Sequence, residues 1–214
     1  MNHETAEKKE GDTSLYCGER VCKNNPRIEA LGSLDELSSM LGVFRGATYS
    51  GNFGEICFKI SKLVLGIQIK LFTVGTELAA GEEELSSVKD KISISDIEDL
   101  EKINSYFRNV FRLPNGFIIP GGRHEICHNS KHIPPFLDLS RALTRRLERD
   151  LVSVRSQMIE PANKDFSVLI EWINELSDVL WVLARVVEIP QGKSLELTDV
   201  SNSSYSINKE SYEK

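Results

Sequence analysis

The densest chemistry in the sequence is Ser140-Arg141-Ala142-Leu143-Thr144-Arg145-Arg146-Leu147-Glu148-Arg149, which sets four arginines against one glutamate in a chain of formal charge -6. Arg141, Arg145, Glu148 and Arg149 recur at i, i+4, i+7 and i+8, so a helix would carry them on one face. Guanidinium forks suit phosphate oxygens, because several donors meet a delocalised anion in bidentate geometry. A solvated face laced with ion pairs accounts for such a stripe equally well when it is taken alone. Other polar residues are spaced to meet it. Asn174 and Asp178 stand one turn apart with Arg185 about two turns further on, and Asp35 lies beside Glu36. Carboxylates and an amide near an arginine stripe can form a structural salt-bridge network or a nucleotide site.

A second group is His124, Cys127, His128 and His132, which holds three of the chain's four histidines. Imidazole and thiolate are borderline-soft ligands, so H-x-x-C-H-x-x-x-H has donors for Zn²⁺. The spacing is not a recognised zinc pattern, and a surface insertion over 123–135 is the favoured reading.

Helices must position these groups. Ile56, Ile60, Leu63, Val64, Ile67, Leu71, Val74 and Leu78 repeat in steps of three and four, an amphipathic helix of about six turns. Before it, Ser33-Leu34-Asp35-Glu36 reads as a capping box at a helix start, continued by Leu37, Leu41 and Phe44. A third helix begins near Ser95 with Ile97, Leu100, Ile103 and Phe107 on one side. The fourth follows Pro134-Pro135 and would bury Leu139, Leu143, Leu147, Leu151, Val154 and Met158. The fifth starts after Pro161, with Leu169, Ile173, Leu176, Leu180, Leu183 and Val187, and ends before Pro190. Five helices with almost no strand alternation predict an all-α, ferritin-like five-helix bundle. Loops are expected over 48–54, 81–91 and 113–135.

Composition narrows the function classes. The 214 residues are 40% apolar and 27% charged, enough for one substantial core. The acidic balance argues against nucleic acid and anionic membranes as partners, and no apolar run reaches the roughly 18 residues of a membrane span. The polar N-terminus has the character of neither a signal peptide nor a presequence, and four scattered cysteines do not form a disulfide framework. A reducing, cytoplasmic location is expected, with the mitochondrial matrix as the alternative.

Several stretches taken in order resemble the PduO-type ATP:cob(I)alamin adenosyltransferases, trimeric five-helix enzymes of vitamin B12 metabolism. They are Thr13 to Val21 with Lys23 and Pro26 to Ala30, Gly32 to Leu37, Ile67-Gln68 with Gly75 to Ala79, Phe117 to Gly122, Ser140 to Arg149, and Ile173 to Asp178 with Leu183-Ala184-Arg185. The resemblance implies transfer of the 5′-deoxyadenosyl group of ATP to cob(I)alamin, giving adenosylcobalamin and triphosphate. It implies ATP, Mg²⁺ and cobalamin as ligands and a homotrimer as the assembly, with a cobalamin reductase or a B12-dependent mutase as further partners. Residues 13–190 would be the adenosyltransferase domain, 1–12 a flexible N-terminal segment and 191–214 a disordered tail.

The same resemblance assigns roles. Arg145 would contact phosphate, with Glu148 beside it to orient it or the Mg²⁺ shell. Asp35 would pair with Arg141 across a subunit interface, Asn174 would touch the nucleotide, and Phe117 would displace the lower cobalamin ligand. Gly11, Asp12, Thr13, Ser14 and Lys23 would belong to the phosphate loop. That loop departs from the family pattern: either Gly11-Asp12 is its G-D pair with about three residues deleted, or Gly11 is its second glycine and the first is lost, and both alignments remove the opening threonines. An alternative follows: a catalytically impaired relative that binds cobalamin or nucleotide for delivery or sensing.

Overall fold

The computed structural model describes residues 10–15, 18–50, 54–80, 85, 87–114, 118–120, 133–158 and 162–188. Their order is β1 (Asp12–Ser14), β2 (Arg20–Cys22), α1 (Pro26–Ser50), α2 (Gly54–Ala79), α3 (Ile94–Val110), α4 (Pro134–Arg155) and α5 (Ala162–Val187). The expected bundle is there, preceded by an antiparallel hairpin that periodicity alone did not reveal. Asp12, Thr13 and Ser14 pair with Cys22, Val21 and Arg20, a run too short to show alternation. Phe117, His124, Cys127, His128, His132 and the tail lie outside the described residues.

The start of α1 corrects the sequence reading. Ser33-Leu34-Asp35-Glu36 is not a helix start; it lies in the middle of a 25-residue helix. The N-cap is Asn25, whose side-chain oxygen accepts the Arg27 amide at 2.9 Å, and Pro26 fills the first helical position, where a missing N–H costs nothing. Ser33 is 1% exposed, and its hydroxyl donates across to Asp150 on α4 at 2.6 Å. The S-x-x-E pattern had a tertiary cause rather than a capping one.

The capping-box geometry instead opens α3. The Asp96 carboxylate accepts the Ser93 amide at 2.9 Å and the Ser93 hydroxyl at 2.7 Å. Its second oxygen meets Lys70 of α2 at 2.6 Å. Close by, the buried Glu77 accepts the Ile92 amide at 2.6 Å, so α2 holds the strand-like approach to α3 at two points.

The core runs the length of the bundle. Leu37, Leu41 and Phe44 of α1 meet Ile60, Val64, Ile67 and Leu71 of α2, with Leu169, Trp172, Leu176 and Leu180 of α5, all at most 2% exposed. Gly75 permits close approach of α1 and α2, because a β-carbon there would come within 3.1 Å of Leu34. No helix among the described residues is long and apolar enough to cross a membrane.

The buried face of α4 also differs from the leucine stripe. Leu137, Ser140, Thr144, Leu147, Leu151 and Val154 are buried, whereas Leu139 is 45% exposed and Met158 lies beyond the helix end. Ser140 and Thr144 fit because each hydroxyl donates back to a carbonyl one turn earlier, Phe136 and Ser140 respectively, at 2.8 Å. The leucine stripe otherwise holds: Leu147, Leu151, Val154 and Met158 are buried and Leu143 packs against the core, so Leu139 alone of the six departs from it.

Asp96 yields a pH test. Burial alone would raise its pKa, but the hydrogen bonds from Lys70 and Ser93 outweigh it and hold the carboxyl below its ordinary value of 3.8. A lowered folded pKa contributes stability above the unfolded value, lost as pH falls through the folded one. Asp96→Asn is expected to cost about 1–3 kcal/mol at pH 7. Urea melts at pH 7 and below 4 should show that gap closing on acidification; a gap independent of pH would refute the assignment.

Candidate functional site

On α4 the hundred-degree step per residue divides the polar side chains into two flanks of the buried face. Arg146 and Asp150 fall on one flank, which faces α1. Arg146 lies 2.9 Å from Glu36 and 3.6 Å from Glu29, and Asp150 receives the Ser33 hydroxyl. Arg141, Arg145 and Glu148 fall on the other flank, toward α5.

Two contacts set the register of that second seam. Arg155 reaches the Ser167 hydroxyl at 3.3 Å near one end. At the other end Arg185 meets Asp138 at 2.7 Å. The helices therefore run antiparallel, and stepping inward seven residues from Arg155 and Ser167 brings Glu148 level with Asn174. One further turn brings Thr144 and Arg145 level with Asp178. Asn174 and Asp178 are exposed and Glu148 is half-buried. The fold thus brings Arg141, Arg145, Glu148, Asn174 and Asp178 to a single open seam.

What distinguishes this seam is the lack of internal neutralisation. Among the described residues, no hydrogen bond or ion pair engages the Arg145 guanidinium or the side chains of Glu148, Asn174 and Asp178. The Arg141 Nε is buried without a partner there. Arg149 donates to the Arg145 carbonyl at 2.8 Å, which draws it along the helix. Elsewhere α5 satisfies its charge: Arg185, 2% exposed, lies between Asp138 and Glu188, at 2.7 and 2.9 Å, and near the ring of Trp181. Sequence reading grouped Arg185 with Asn174 and Asp178 because they share a helix face. Near the end of α5 the first turn of α4 covers that face, and Arg185 is structural.

Asp35 is not on the seam. It points about a third of a turn away from the α4-facing edge of α1, into a groove of about 430 Å³ between α1 and α2. Leu31, Leu34, Ser38, Leu71, Phe72 and Gly75 line it. Within one chain Asp35 and Arg141 do not meet. The outward stripe of α2 beside the groove is apolar, with Phe58, Ile69 and Phe72 exposed by 43%, 50% and 75%.

The hairpin carries the remaining candidates. Gly11 has φ 88°, the left-handed region glycine adopts without strain, and its carbonyl accepts the Lys23 amide at 2.8 Å. Asp12 lies 3.9 Å from Arg20, Thr13 is half-buried, and Ser14 and Lys23 are exposed.

A family model for cobalamin adenosyltransferase matches residues 3–187. The chain belongs to this family. It is 32% identical to a corrinoid adenosyltransferase of Citrobacter freundii, covering 83% of this chain and 90% of that one. It is 34% identical to the corrinoid adenosyltransferase PduO of Salmonella typhimurium, covering 89% of this chain but 51% of the relative, about half its length. A variant of the PduO-type ATP:corrinoid adenosyltransferase from Lactobacillus reuteri, complexed with ATP, superposes with a TM-score of 0.65 at 30% identity, covering 83% of this chain and 89% of that one. Another variant of that enzyme, complexed with cobalamin and ATP, has a TM-score of 0.65 at 28% identity, covering 82% and 84%.

For this adenosyltransferase-family chain the two kinds of arginine predict opposite phenotypes. Arg145→Ala removes an exposed side chain without a described partner and should change stability by less than about 0.5 kcal/mol. Arg185→Ala removes a buried guanidinium from between Asp138 and Glu188 and should cost about 3–5 kcal/mol. Denaturant melts of both variants check this; equal losses would contradict the division of roles.

Proposed function

We propose that the protein transfers the 5′-deoxyadenosyl group of ATP to cob(I)alamin, forming adenosylcobalamin and releasing triphosphate. The observation carrying this reading is the open seam, where Arg141, Arg145, Glu148, Asn174 and Asp178 converge on a family scaffold with no described internal partner. Two guanidiniums without a described intrachain partner leave fork donors open to phosphate oxygens.

The reaction asks for position and field rather than proton transfer. The cobalt lone pair of the cob(I)alamin substrate attacks C5′, the C5′–O bond breaks, and its electrons leave on the triphosphate. Arg145 and Arg141 neutralise that developing charge from fixed positions. Asn174, level with Glu148, offers an amide to the nucleotide. Glu148 supplies carboxylate oxygens without a described competing partner, which suits Mg²⁺, a hard cation that takes oxygen ligands; when bound, the ion would screen the phosphates. Phe117 keeps its proposed place against the corrin.

The assembly proposed is a homotrimer. Asp35 opens into a groove flanked by the apolar stripe of α2, while Arg141 holds a buried Nε without a partner. A neighbouring copy would join the two and cover Phe72. A reductase supplying cob(I)alamin and a mutase consuming the product complete the proposed partners. The alternative role in delivery or sensing rests on the shortened loop before Gly11. Gly11 in the left-handed region and the Lys23 amide bonded to its carbonyl close the hairpin that the proposal takes as the phosphate loop.

The test is an anaerobic assay with reduced cobalamin and MgATP, following loss of the cob(I)alamin absorbance. Turnover is expected, and Arg145→Ala should lower it by a factor of about 10²–10³. Binding of both substrates without turnover would favour delivery or sensing; unchanged turnover in the variant would displace the phosphates from the seam.

A further inference from the structure

Arg27 occupies an unfavourable place for its own helix. It is the second residue of α1, where the positive end of the helix dipole disfavours a cation. Its guanidinium leaves that end and crosses to α2, where Nη1 donates to the carbonyls of Leu78 at 3.1 Å and Ala80 at 2.7 Å. Those carbonyls belong to the last turn of α2 and the residue after it, where acceptors lack helical partners and the dipole is negative. One side chain thus ties the beginning of α1 to the end of α2.

The tie continues into the hairpin without a break. The Arg27 amide donates to the Asn25 side chain at 2.9 Å, the Asn25 amide to the Cys22 carbonyl at 2.9 Å, and the Lys23 amide to the Gly11 carbonyl at 2.8 Å. Leu15, 6% exposed, is a buried apolar residue of the hairpin. A three-residue ladder otherwise has little hold on its orientation.

We propose that Arg27 is a positioning residue for the nucleotide: by capping α2 it sets the angle at which the Gly11–Lys23 hairpin leaves the bundle. It touches no substrate and acts through Asn25. The inference rests on the proposed adenosyl transfer, with the hairpin as the phosphate loop.

The experiment measures ATP and cobalamin dissociation constants by calorimetry on the full chain, with thermal melts, for the unaltered protein, Arg27→Ala, Arg27→Lys and Asn25→Ala. Losing charge-assisted bonds at the hinge should weaken ATP binding about tenfold in Arg27→Ala, with cobalamin binding within about twofold. Arg27→Lys, whose ammonium can still reach a carbonyl, should recover part of the loss. Asn25→Ala interrupts the same chain one link later and should reproduce the ATP-selective effect even if Arg27→Ala fails to fold. Unchanged ATP affinity in the folded variants would overturn the proposal while leaving the adenosyl-transfer reading intact. A parallel loss of both ligands would overturn it too, reducing Arg27 to a stabilising role. If the unaltered protein binds no ATP, the functional reading itself falls, and this proposal with it.

Discussion

The rotation of α4 about its own axis governs where nearly every charged group of the protein goes. A helix with its buried arc centred on Leu137, Ser140, Leu147 and Leu151 has two flanks, and it is pinned on both. Ser33, inside the core, gives its hydroxyl to Asp150, and Arg146 reaches two glutamates of α1. On the far side Arg185 meets Asp138. A step of one residue would turn Asp150 and Ser33 apart and drive an arginine toward the apolar interior, so the leucines, the buried hydroxyls and the salt bridges all select the same setting.

That setting sorts arginines of similar sequence context into different kinds. Arg185 is a buried strut between two carboxylates, while Arg146 makes exposed pairs with Glu29 and Glu36. Arg141 and Arg145 emerge on the flank shared with Asn174 and Asp178, where the described residues leave them uncompensated. That flank also carries the carboxylates of Glu148 and Asp178, and surface charges of this kind contribute little to stability. Under the proposed function the open guanidiniums serve an anionic ligand, while the apolar core holds the bundle together.

The bundle was readable from periodicity because α2, α3 and α5 bury aliphatic side chains at helical spacing. Where reading failed, polar atoms had been satisfied through tertiary contacts. Ser33 and Glu36 imitate a capping box, yet one bonds Asp150 and the other Arg146, a hundred residues away in the chain. Ser140 and Thr144 join the buried face without being apolar, because each closes on its own backbone. Arg27 stands in the Pro26 to Ala30 block, and the Asn25-Pro26 helix start marks it as a cation in a first turn, but only the fold shows its partners on α2.

The sequence by itself determined the helical class, the five apolar stripes, the arginine-rich motif and its resemblance to the adenosyltransferases, since these depend on residue type and local spacing. Only the tertiary structure decided which arginine is strut and which is open, that Asp35 and Arg141 face different surfaces of one chain, and that Glu148 comes level with Asn174. The physical reason is that spacing along a helix gives relative angles but no absolute one. The zero of that angle is set by packing against neighbouring helices, and the sign and distance of the nearest charge follow from it.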